Sequence, residues 1–206
     1  MTENWDWGTA ATTTEVVKKP TSNERKKDSE SDLKVEQFSK LNIKDRAFSP
    51  RDMRDHMDGR KLVLLSQIEH SQKQLERQDE DSVVIGVVAS KSAPRTTSKG
   101  SSYCIWTISD LDGNAISLFL FSEAYENHWK EVEGTIVAII NPGVVPANEK
   151  GKFSLKAFKE DEVVRLGTSV DFAMCKGTKQ SGGRCKFAVN KARVRIQVII
   201  IRIIAT

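Results

Sequence analysis

Tyr103-Cys-Ile-Trp-Thr-Ile-Ser-Asp-Leu-Asp-Gly-Asn-Ala-Ile-Ser-Leu-Phe-Leu-Phe121 holds two alternating apolar runs on either side of Asp112-Gly113, a hairpin dipeptide. Side chains alternate faces along a strand, so the first run separates Cys104, Trp106 and Ile108 from Tyr103, Ile105 and Thr107. The second separates Ile116, Leu118 and Leu120 from Ser117, Phe119 and Phe121. The wholly apolar sets are expected to face a core. Tyr103 and Phe119 are then left on the outer face.

Working outward, Val83-Val-Ile-Gly-Val-Val-Ala89 is a β-branched run with a glycine that marks a bend. After the hairpin, Ser122 is expected to cap a short helix over residues 123–130. Gly134-Thr-Ile-Val-Ala-Ile-Ile140 is a further strand, broken by Asn141-Pro-Gly143. Phe153-Ser-Leu-Lys-Ala157 with Val163-Val164 supplies the last. Three strands, a helix and two strands is the order of a five-stranded OB barrel, here placed at residues 82–166 and making the chain mainly β.

The flanks divide the rest. Residues 1–30 are polar and charged and are read as a disordered tail. Residues 31–81 are read as an arm packed on the barrel, too short for a core of their own. Within the arm, Ser49 and Pro50 mark a helix start, Leu62 to Ile68 a short strand, and residues 69–81 a charged linker. Residues 167–190 form an incomplete zinc-knuckle appendage, and 191–206 an atypical tail rich in Ile. That tail reads either as an aggregation-prone segment or as an edge strand alternating Arg193 and Arg195 with apolar residues.

Charge is uneven along the 206 residues. The formal net charge is +4, yet residues 171–206 hold eight Lys and Arg against Asp171 alone. Three cysteines do not make a secreted disulfide framework, and no apolar run is long enough to span a bilayer, so no membrane partner is expected. Catalysis is not expected either. The three histidines lie away from any paired nucleophile, no phosphate-cradling glycine loop is present, and Asp110 and Asp112 read as turn residues.

Binding is the remaining chemistry. OB barrels bind on the face of strands 2 and 3 and on the loops joining strands 1–2 and 4–5. The first loop carries Lys91, Arg95 and Lys99; the second carries Lys150 and Lys152. Opposed cations would draw phosphates while Tyr103 and Phe119 stack bases. The same face would equally dock a partner peptide. Cys175 and Cys185, with nine residues between them, are framed by Lys176, Lys179, Arg184 and Lys186, which would extend the basic surface. On spacing alone the two cysteines are either free thiols or half of a metal site.

Five motifs in one order resemble the minichromosome maintenance ten family of eukaryotic replication initiation factors. They are Phe38-Ser-Lys-Leu-Asn-Ile-Lys-Asp-Arg46, Lys61-Leu-Val-Leu-Leu-Ser-Gln-Ile68, Ile116-Ser-Leu-Phe-Leu-Phe-Ser-Glu-Ala-Tyr125 leading to Trp129-Lys130, Ile139-Ile-Asn-Pro-Gly143, and residues 167–189 with both cysteines. The resemblance implies a nuclear, non-catalytic scaffold that binds single- and double-stranded DNA, the replicative helicase and polymerase-α primase. It also implies zinc. There the chain departs from the family: the knuckle's further Cys and His do not follow Cys185, which leaves only two of four ligands.

Overall fold

The computed structural model describes residues 35–77, 80–147, 152–179, 183–185 and 187–193. The tail at 1–30, Lys150, Lys186 and the segment from 194 onward lie outside the described residues. In the arm, a turn at residues 35–42 leads into β1 (Ile43–Lys44) and α1 (Pro50–Met57). The Ser49 hydroxyl accepts the Asp52 N–H at 3.2 Å, while the Asp52 carboxylate accepts the Ser49 N–H at 3.2 Å. Pro50 fills the first helical position, where an N–H would have no partner. The hydrogen bonds from the Ser49 side chain and backbone hold the Asp52 carboxyl below its ordinary range. Met53 and Met57, one turn apart, form the buried face.

Two expectations for the arm change. The strand anticipated over 62–68 is only β2 (Lys61–Val63), followed by a single 3-10 turn at Leu65–Gln67. The charged linker contains α2 (Gln72–Arg77), held by Leu75 at 2% exposure. One apolar anchor in six residues gives no period to detect.

The barrel strands are β3 (Ser82–Lys91), β5 (Ser102–Ser109), β6 (Ala115–Phe121) and β7 (Thr135–Ile140), with β4 (Arg95–Thr96) as a spur on β5. Between β6 and β7 lies α3 (Ser122–His128). Ser122 does not cap it. Phe121 occupies the cap position, no side chain caps the helix, and Ser122 is its first residue at φ 46°. The chain then forms β8 (Gly143–Val145), β9 (Ser154–Ala157) and β10 (Val163–Ser169). The sheet runs β1-β10-β7-β3-β5-β6-β9-β8, with β6 and β9 parallel.

The closing strand is thus split. A 3-10 turn at Glu160–Glu162 separates β9, on β6, from β10, on β7. The Glu162 carboxylate pins the break by accepting the Phe158 N–H at 2.6 Å and the Lys159 N–H at 3.3 Å. The barrel therefore closes along a covalent seam rather than a continuous ladder.

β3 is buried on both faces. Val84 and Val88 point into the barrel with Trp106, Ile108, Leu118 and Leu120. Val83, Ile85, Val87 and Ala89 point outward, under Leu41, Ile43, Met53 and Met57 of the arm. Gly86 lies where a Cβ would come within 2.5 Å of Ile108 Cγ2, so only glycine lets β5 approach here. The segment after β10 adds β11 (Phe172–Met174), β12 (Thr178–Lys179), β13 (Gly183–Arg184) and β14 (Ala188–Asn190). These form two short ladders, β11 with β14 and β12 with β13. Ala188 and Phe172 join the outer cluster over β3 and β7. The first half of the arm and the appendage thereby cover the outer side of β3, while Leu65, Ile68 and Leu75 of the second half join the interior cluster. Tyr103, Phe119 and Phe121 on the outward face of β5 and β6 stay half-exposed.

Candidate nucleic-acid interface

The register of β5 on β6 places Tyr103 opposite Phe121 and Ile105 opposite Phe119. Both strands alternate as the sequence requires: Cys104, Trp106, Ile108, Ile116, Leu118 and Leu120 are buried, and Tyr103, Phe119 and Phe121 are half-exposed on the outer face. Their rings form a row. Tyr103 lies 6.3 Å from Phe119 and 5.3 Å from Phe121, and Phe119 lies 6.0 Å from Phe121 with only 10° between ring planes. Phe158, just past β9 and 45% exposed, continues the row at 5.2 Å from Phe121. Four near-parallel rings make a stacking platform.

Phe121 and Phe158 were not among the residues expected from sequence. Phe121 shares the alternation that selected Phe119, so its signal was present. Phe158 reaches the platform only because the split strand turns there, which no local pattern encodes.

Cations border the rings. Arg95 pairs with Tyr103 in the β4–β5 ladder and is exposed. Lys99 is exposed at the tip of the β4–β5 connection, where Gly100 takes φ 86°. Lys156 lies opposite Phe119, with Nζ 5.8 Å from the Phe158 ring centroid, within cation–π range. Lys152 borders an open groove of about 520 Å3 on the same face, together with Thr107 and Ser117.

Lys91 is drawn away from this set. Its ammonium donates to the carbonyls of Trp129 and Glu131 beyond α3 and sits 5.9 Å from the Trp106 ring. Two carbonyl acceptors just past a helix end outcompete solvent for a lysine in reach.

The appendage docks at the other end of the hairpin. The Asn190 N–H donates to the Leu111 carbonyl at 3.3 Å, and Arg193 pairs with Asp112. Six residues of extended strand separate Tyr103 from Ser109, about 20 Å. Lys176 is exposed, Lys179 pairs with Gly183, and Arg184 pairs with Thr178. The two basic regions therefore meet only a ligand that runs the length of the hairpin.

Cys175 and Cys185 stand where the two small ladders join. The Cys175 N–H donates to the Phe187 carbonyl at 2.8 Å and the Cys185 N–H to the Gly177 carbonyl at 2.8 Å. The Gly177 N–H donates to Cys175 Sγ at 3.4 Å. Cys104 cannot complete a ligand set, because it lies inside the barrel and burial pushes its thiol up. His128 bonds the Glu160 carbonyl and His56 packs at a tilt against Phe48, both on other elements. Among the described residues no three His, Cys, Asp or Glu converge. Two thiols do not fit the closed tetrahedral shell of structural zinc.

The sequence is similar to known proteins. The pattern described as MCM10 OB-fold matches residues 37–164, which is more than half of the chain. The human Protein MCM10 homolog is 33% identical over 159 residues, covering 76% of this chain and 18% of that protein. The Drosophila melanogaster homolog is 36% identical over 144 residues, covering 67% and 18%. The Schizosaccharomyces pombe DNA replication licensing factor mcm10 is 33% identical over 163 residues, covering 76% and 27%. The chain thus spans well under a third of these relatives. With the match running from the arm to the start of β10, the chain belongs to the MCM10 family and carries its OB fold.

Proposed function

We propose that this chain is a non-catalytic, nuclear scaffold of DNA replication that holds DNA on the outer face of β5, β6 and β9 and along the adjacent basic appendage. Single strands lay their bases on Tyr103, Phe119, Phe121 and Phe158, while Arg95, Lys99, Lys152 and Lys156 meet the phosphates. The four-ring row carries the reading: stacking on aromatic faces tolerates any base, and the flanking cations supply charge without base-edge recognition. In this role the replicative helicase and polymerase-α primase are its protein partners, and duplex DNA is a second ligand.

Salt titration tests it. Oligothymidylate affinity is expected to fall with a log–log slope near −0.7 for each phosphate neutralised. A slope near zero would instead favour a peptide laid along the same aromatic row. The metal reading has its own check. Purified chain is expected to carry well under one zinc, with a chelator leaving its unfolding temperature unchanged. One tightly held, stoichiometric zinc would show a ligand set beyond the two cysteines.

A further inference from the structure

The turn at residues 35–41 and the first turn of α1 enclose an open groove of about 440 Å3 on the arm, remote from the aromatic row. Four cations border it: Lys40, Arg46, Arg51 and Arg54. Among the described residues the one carboxylate in its lining is Glu36, which is 2% exposed. Its oxygens are already committed to the Phe38 N–H at 3.0 Å, the Ser39 N–H and the Ser39 hydroxyl at 2.6 Å. Asp52 serves the Ser49 cap, and neither it nor Asp55 lines the groove. Among the described residues Lys40, Arg51 and Arg54 form no ion pair. Like charges gathered at one concavity repel one another, and an incoming anion removes that cost.

Among the described residues the lining also contains no aromatic ring. An unpaired base would gain no stacking here, so the groove offers charge alone. The anion that matches is a polyphosphate whose bases are already satisfied. Duplex DNA presents one such charge about every 1.7 Å of its axis. We propose that this arm groove is a second DNA contact, one that takes backbone phosphates of the duplex independently of sequence. It requires that the chain bind DNA, but not that the aromatic row be the single-strand site.

The experiment uses the full chain with Arg51→Ala/Arg54→Ala, both exposed side chains, beside a charge-matched control, Lys73→Ala/Arg77→Ala on α2. Affinity for a blunt duplex and for oligothymidylate is measured across a salt series. The expected result is a several-fold loss on duplex with a log–log slope shallower by about 0.9 per lost contact, and unchanged oligothymidylate affinity. Unchanged duplex affinity overturns the proposal, as does an equal loss in the α2 control or an equal loss on oligothymidylate. If wild type binds oligothymidylate but no duplex, the arm groove fails and the aromatic row stands.

Discussion

Phe121→Ala combined with Phe158→Ala is expected to weaken oligothymidylate binding by at least about 2 kcal/mol, roughly a thirtyfold loss of affinity. These two rings are central and terminal in the row, so their removal leaves Tyr103 and Phe119 6.3 Å apart with nothing to bridge a following base. Fluorescence anisotropy across a salt series gives two readouts. Affinity should drop while the log–log slope stays as in wild type, because no charge is removed. Lys156→Ala should do the opposite, flattening the slope by about 0.7 with a smaller loss at low salt. An unchanged affinity in the double variant would remove the aromatic row from the site.

Trp106→Ala is expected to cost about 3–5 kcal/mol of stability, read from urea unfolding. Trp106 is fully buried at the centre of β5, opposite Leu118 and beside Lys91 of β3. Such a loss is a large share of the roughly 5–15 kcal/mol typical of a domain, and partly unfolded protein at ambient temperature is the expected consequence. Trp106→Phe keeps an aromatic ring in the barrel and should lose markedly less. On the outer face, by contrast, Phe121→Ala should unfold close to wild type. A Trp106→Ala variant as stable as wild type would mean the barrel interior is not packed as described.

The hairpin was legible because one residue in two must be apolar on a strand that walls a core. The same rule marked Tyr103 and Phe119 and would have marked Phe121. The Ser49–Asp52 box was legible from local chemistry alone. Other features depend on partners distant in sequence. Lys91 looks like a loop cation until the carbonyls of Trp129 and Glu131, some forty residues on, claim its ammonium. The break between β9 and β10 rests on Glu162 reaching back to two N–H groups, and Lys159-Glu-Asp-Glu162 reads merely as a polar turn. The five-residue connection over 110–114 falls where the sequence places it, between strands ending at Ser109 and starting at Ala115. What the sequence does not show is its interior. The Asp110 carboxylate accepts the Asp112 and Asn114 N–H groups, and Leu111, at φ 63°, tucks into the outer cluster.

The double burial of β3 sets the smallest piece that can be handled in water. A fragment begun at Ser82 would bare Val83, Ile85, Val87 and Ala89 as a contiguous greasy stripe beside Ile136 and Ala138. Such a stripe invites self-association, so an isolated barrel would clump unless the preceding forty-odd residues travelled with it. The arm is therefore the barrel's missing wall.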